Sequence, residues 1–121
     1  MDSILTSIKK LLGITEEYEH FDTDIIIHIN SVLSILTQLG VGSSDSFTIR
    51  NKDALWSDFI SDDPHLELVK SYVYFKVKML FDPPLSSSVK ESMNQLINEF
   101  EWRLQVEADP ITTDRRKIQN E

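Results

Sequence analysis

The sequence predicts an all-α protein: a compact bundle of four main helices plus one short helix, with a flexible C-terminal tail. Three observations carry that expectation. Only three glycines and four prolines punctuate 121 residues, as in helical domains. Apolar residues recur at helical spacing in four long runs. Capping or breaking residues bracket those runs. The length fits one domain, assigned here to residues 1–108, with residues 109–121 as the tail. A hydrophobic fraction of 40% supplies a core, and a chain this size buries roughly 65% of its unfolded surface without a metal or disulfide staple.

The first helix begins at Asp2 or Ser3 and runs to Leu12. Ile4, Leu5, Ile8, Leu11 and Leu12 share one face, and Gly13 stops it. Residues 16–20 form a short acidic connection. The second helix covers residues 23–39, with Asp22 as N-cap and Gly40 past the end. Its apolar arc holds Ile25, Ile26, Ile29, Val32, Leu33, Ile35, Leu36 and Leu39. Ile27 falls on the polar side and is a candidate contact with a neighbouring chain. Residues 40–53 are irregular, and Phe47 and Ile49 alternate as in a short strand or a loop that drops anchors. A short helix over residues 54–60, capped by Asp53, places Leu55, Trp56 and Phe59 on one side.

The third main helix starts near Pro64, behind Asp62 or Asp63. It ends at Phe81, because Asp82 precedes Pro83 and Pro84. Apolar residues cover most of its circumference, leaving a narrow stripe of Glu67, Lys70, Ser71, Tyr74 and Lys78. Such a helix is either the central one or packs one face on another subunit. Lys76 lies inside the apolar arc, where a charge is costly unless it snorkels or meets a partner, including one across a subunit boundary. The fourth main helix opens after Ser86-Ser87-Ser88, with Ser88 and Glu91 at capping-box spacing. Val89, Met93, Leu96, Ile97, Phe100 and Leu104 make its core face to about Glu107. Trp102 lies opposite, followed by Arg103: a lone surface aromatic or an interface anchor. Beyond Pro110 the chain is polar and carries Arg115-Arg116-Lys117, a candidate docking segment.

The chemistry-bearing residues are few. No cysteine is present, which excludes thiolate zinc sites, thiol catalysis and disulfides, and fits a reducing cytoplasm. Glu17-x-x-His20 resembles half of a di-iron motif, but no second copy follows. His28 sits at the edge of an apolar face with no activating constellation, and His65 lies in a helix first turn. No phosphate loop or nucleophile elbow occurs. No enzyme, metal site or cofactor is expected. Met1-Asp2-Ser3 opens no signal peptide, and no apolar run reaches the ~18 residues of a membrane span.

Twelve Lys and Arg face twenty Asp and Glu, a net charge of −8. Residues 16–24 and 53–67 are acidic without relief. That surface repels phosphate and argues against ordinary nucleic-acid binding.

The run from Val69 to Pro84, including Phe81-Asp82-Pro83-Pro84, resembles the head–tail connector (adaptor, head-completion) family of long-tailed phages. So do Ser86-Ser87-Ser88, Glu99-Phe100-Glu101-Trp102-Arg103-Leu104, Gly40-Val41-Gly42 and Trp56-Ser57-Asp58-Phe59. The resemblance spans residues 3–107 and is carried by the order and spacing of these pieces.

It implies a non-enzymatic virion protein: an all-α subunit of a ring, twelve-fold in that family, beneath the portal. DNA would pass through the lumen without specific binding. The partners implied are other copies, the portal protein and a downstream head-completion or tail protein, with no membrane. The place implied is the virion neck, reached from the bacterial host cytoplasm during assembly. Within that expectation Ile27, Lys76, Trp102 and Arg103 are candidate subunit contacts, and Arg115, Arg116 and Lys117 would dock on the portal. The competing reading of the acidic composition is a small DNA-mimicking or host-protein-binding inhibitor, which explains the charge but not the apolar long helix or the basic tail.

Overall fold

The first helix is nucleated by a side-chain cap. Ser3 adopts an extended conformation and its Oγ accepts the Thr6 N–H at 3.2 Å, which fixes α1 at Ile4–Leu11. The computed structural model describes residues 3–42, 47–60 and 65–108, with side chains to residue 106. Among them five helices and no strand are present: α1, α2 (Asp22–Gln38), α3 (Trp56–Phe59), α4 (Leu66–Phe81) and α5 (Ser87–Ala108). The one extended pairing is an isolated bridge between Ser3 and Leu55.

Asp22 is not the N-cap of α2, as the sequence suggested. It lies inside the first turn, behind Phe21, because its carboxylate is taken by Lys9. The inward residues are Ile25, Ile29, Val32, Leu33 and Leu36. Gly40 at φ +88° ends the helix where the pattern placed the stop.

The irregular stretch drops anchors rather than forming a strand. Ile49 is buried, and Asn30 on α2 clasps its backbone at both ends: Nδ2 donates to the Ile49 carbonyl at 3.0 Å, and Oδ1 accepts the Ile49 N–H at 2.8 Å. Gly42, at φ +90°, has its missing Cβ position occupied by the Phe59 ring, so a larger residue fits neither the backbone nor the space.

Asp53 does not cap α3. Leu55 holds that position, with no side-chain acceptor of its own. Asp58 reaches back instead, its Oδ2 accepting the Leu55 N–H at 2.8 Å. Trp56 is buried, and its indole N–H donates to Ser7 Oγ on α1 at 2.8 Å. Asp62, Asp63 and Pro64, expected to open the long helix, lie outside the described residues.

The long helix α4 is the central one. It packs against α1, α2 and α5, which accounts for apolar residues around most of its girth. Val69, Tyr72, Val73 and Val77 are fully enclosed. Pro83 and Pro84 end it, and the short turn to Ser87 makes α4 and α5 antiparallel neighbours. The cap of α5 is Ser86 rather than Ser88: its Oγ accepts the Val89 N–H at 3.3 Å and its carbonyl the Lys90 N–H at 3.0 Å.

Candidate interaction surfaces

One polar cluster locks the helices that carry the candidate contacts. Tyr72 is wholly enclosed, and its hydroxyl donates to Glu101 Oε2 on α5 at 2.7 Å. Burial, then that hydrogen bond and the negative charge of Glu101, hold the phenol well above its ordinary pKa. Lys76 Nζ stands 3.8 Å from the same carboxylate oxygen, an ion pair rather than a hydrogen bond at that separation. The charge that looked misplaced in the apolar arc therefore finds its counter-charge within its own chain. Beside it, Phe75 and Phe100 meet at 5.7 Å between ring centroids.

That pairing also sets the register of α5. With Phe75 opposite Phe100, the end of α4 lies beside residues near 94, so about two turns of α5 overhang it. Here the sequence reading fails in part. Met93, Ile97 and Leu104 are buried as expected, but Val89 is 47% exposed and Leu96 39%. The helical period assigns a face, but it does not fix how fully each position on that face is covered: Val89 lies in the overhang, and Leu96 lies at the edge of the face.

Trp102 is 65% exposed, with Arg103 exposed beside it on α5. Ile27 is 56% exposed on α2, directly opposite that helix's buried arc. Ile27 and Trp102 thus lie on the two helices that flank α4, not on one patch. Arg115, Arg116 and Lys117 lie outside the described residues. Leu85, which the sequence reading passed over, stands fully exposed in the turn behind Pro83 and Pro84, with exposed Leu80 before it.

A second polar feature fixes the acidic connection. Lys9 is buried on α1, 2% exposed. Its ammonium donates to the Glu16 carbonyl at 3.0 Å and the Tyr18 carbonyl at 2.8 Å, and pairs with Asp22 Oδ1 at 2.8 Å. Two backbone carbonyls accept from the ammonium, and Asp22 Oδ1 lies at ion-pair distance and supplies the counter-charge without forming a hydrogen bond. The signal in the sequence was a lysine on the edge of an apolar helix face, but its partner is thirteen positions away across a turn. Next to this clamp a cleft of about 300 Å³ opens, lined by Ile26 and the edge of buried Leu5 among polar side chains that include Glu16, Glu19, Thr23, Arg50 and Lys52.

His28 packs at the core edge, 6.4 Å from the Phe81 ring, and His20 stacks edge-on to Phe21. Among the described residues no group of three His, Asp or Glu side chains is placed to hold a metal, and no helix is long and apolar enough to cross a membrane.

The described residues form a small all-α chain that leaves Ile27, Leu80, Leu85 and Trp102 exposed on its outer faces. The phage connector protein family matches residues 4–110, and the chain belongs to that family. No significant match came from curated proteins or from solved structures. Membership carries a structural role in connecting phage head and tail.

Proposed function

We propose that this protein is the repeating subunit of a ring, twelve-fold as the resemblance implies, that docks beneath the portal and joins head to tail. DNA passes through its lumen. The observation that carries the reading is the connector-family match over nearly all of the described chain. Two features support it. A closed ring is a heterologous assembly and needs two different contact faces on each subunit. Ile27 on α2 and Trp102 with Arg103 on α5 provide exposed groups on the two helices either side of α4. Lys76, held by Glu101, supports the α5 face from behind rather than reaching across it.

The net charge of −8 suits a channel wall from which DNA must slide freely. It also opposes self-association, so ring closure depends on screening or on the portal as template. Residues 115–117 dock on the portal, where arginines engage carboxylate-lined grooves through bidentate hydrogen bonds. The finished ring sits in the virion neck, after assembly in the host cytoplasm. Light scattering of the free chain over a salt series, then with purified portal, tests this: rings are expected as salt rises or portal is added. A chain that stays monomeric in every condition and ignores portal overturns it.

A further inference from the structure

We infer that neighbouring copies of this chain join α5 to α2, with Trp102 of one subunit lying over Ile27, Ser31 and Ser34 of the next. The inference rests on the ring reading and assigns that reading a specific joint.

Both faces are exposed and uncharged. On α2, Ile27, Ser31, Ser34 and Gln38 are exposed and fall within about 60° of one another, opposite the buried arc. From Ile25 to Gln38 there is no Asp, Glu, Lys or Arg, in a chain that is 26% charged. The solvent face of an amphipathic helix ordinarily carries charges. On α5, Gln95, Asn98, Trp102 and Gln105 are exposed within about 80°, opposite buried Ile97 and Leu104. The charges beside that line, Glu99 and Arg103, are of opposite sign and stand one turn apart.

That neutrality selects a second copy as the occupant. A partner of opposite charge is met by carboxylates, which this chain offers elsewhere in plenty. A copy that also carries −8 brings carboxylates against carboxylates on an acidic face, and approaches most easily where neither side has any. The surfaces also match in shape. Serines beside Ile27 leave room for an indole, and the Ser31 hydroxyl already donates to the Ile27 carbonyl at 3.1 Å, so covering it strands no donor. The amides around Trp102 supply a polar rim.

The two faces point in opposite directions. On α4, Phe81 meets Phe21 and His28 of α2, whereas Tyr72, Phe75 and Lys76 meet α5. Those two sets lie roughly 180° apart around α4. The faces are also level. Both α2 and α5 run antiparallel to α4. With Phe81 beside the start of α2, Tyr72 stands beside its middle, at about residue 30, and Tyr72 bonds Glu101, the neighbour of Trp102. A copy placed alongside by rotation about an axis parallel to these helices therefore brings Trp102 against Ile27–Ser34 with no axial offset. A heterologous contact of that kind closes into a ring instead of climbing into a filament.

The chain has no cysteine, so introduced thiols report without background. Gln105→Cys and Ser34→Cys proteins, mixed under ring-forming conditions with portal and oxidised, should give a disulfide-linked dimer. Neither alone should do so, nor should Gln95→Cys mixed with Ser34→Cys, which lies about 15 Å out of register. Ser34→Lys lowers the net charge yet places an ammonium in the joint. It should raise the concentration needed for half-assembly at least tenfold, with an unchanged helical circular-dichroism spectrum. Rings that form as readily with Ser34→Lys, or rings in which the 105–34 cross-link is absent, overturn this joint while leaving the ring reading intact. Wild-type protein that forms no ring even on portal overturns both.

Discussion

The Tyr72 hydroxyl and the Glu101 carboxylate meet at 2.7 Å, joining the central helix to the helix that bears Trp102. Glu101 also faces Lys76 at 3.8 Å, so one side chain satisfies an enclosed phenol and answers a cation in an apolar arc. Glu101→Ala should leave both groups without their partner and cost roughly 1–3 kcal/mol in urea denaturation. Tyr72→Phe removes only the donor and should cost less. Because burial and Glu101 raise the phenol's pKa, folding favours its protonated form. That contribution is complete below the unfolded value near 10 and is lost as pH rises above it. The wild-type protein should therefore lose stability above about pH 10 more steeply than Tyr72→Phe. Parallel pH profiles would show the phenol to be irrelevant.

Lys9 carries the buried charge among the described residues. Lys9→Met should strand the Asp22 carboxylate and the carbonyls of Glu16 and Tyr18. The cost should be about 3 kcal/mol, toward the lower end of the range for breaking a buried pair because Asp22 is partly exposed. Hydrogen exchange should quicken in residues 14–21 before it does in α4. Unaltered stability would mean that the clamp is not what holds the connection down.

Trp102 touches no enclosed cluster, and most of its surface is in water. Trp102→Ala should change the monomer's unfolding free energy by no more than about 0.5 kcal/mol. If it is an interface anchor, the same change weakens ring formation by about 2 kcal/mol, roughly thirtyfold. Analytical ultracentrifugation beside thermal melts separates the two effects. A large drop in melting temperature with intact assembly would place Trp102 among the folding residues.

The basic run 115–117 lies beyond α5 and outside the described residues. Deleting residues 109–121 should preserve the helical spectrum and slow attachment to portal-bearing heads. Normal completion of heads by the truncated chain would move the docking surface onto the helical body.

Much of this was legible in the chain. The stops at Gly13, Gly40 and Asp82-Pro83 stand where local conformational rules put them, since they depend only on neighbours in sequence. The all-α class and the family resemblance were equally readable. Capping was less so: Ser86 rather than Ser88, and Asp58 rather than Asp53, serve the helix starts, because adjacent polar residues compete and the winner is set by where the chain arrives. The charged partners, Lys9 with Asp22 and Lys76 with Glu101, join residues distant in sequence, so the pattern showed only that Lys76 needed a partner or a route to water, and Lys9 went unnoticed. The exposure of Val89 depends on the overhang of α5, a register no helical pattern contains.

The central claim is tested most directly by imaging the protein with purified portal, by cryo-electron microscopy or native mass spectrometry. A closed ring of this chain seated beneath the portal, with an open lumen wide enough for duplex DNA, is the predicted result. Portal particles that carry no added density, with the chain monomeric beside them, would contradict it.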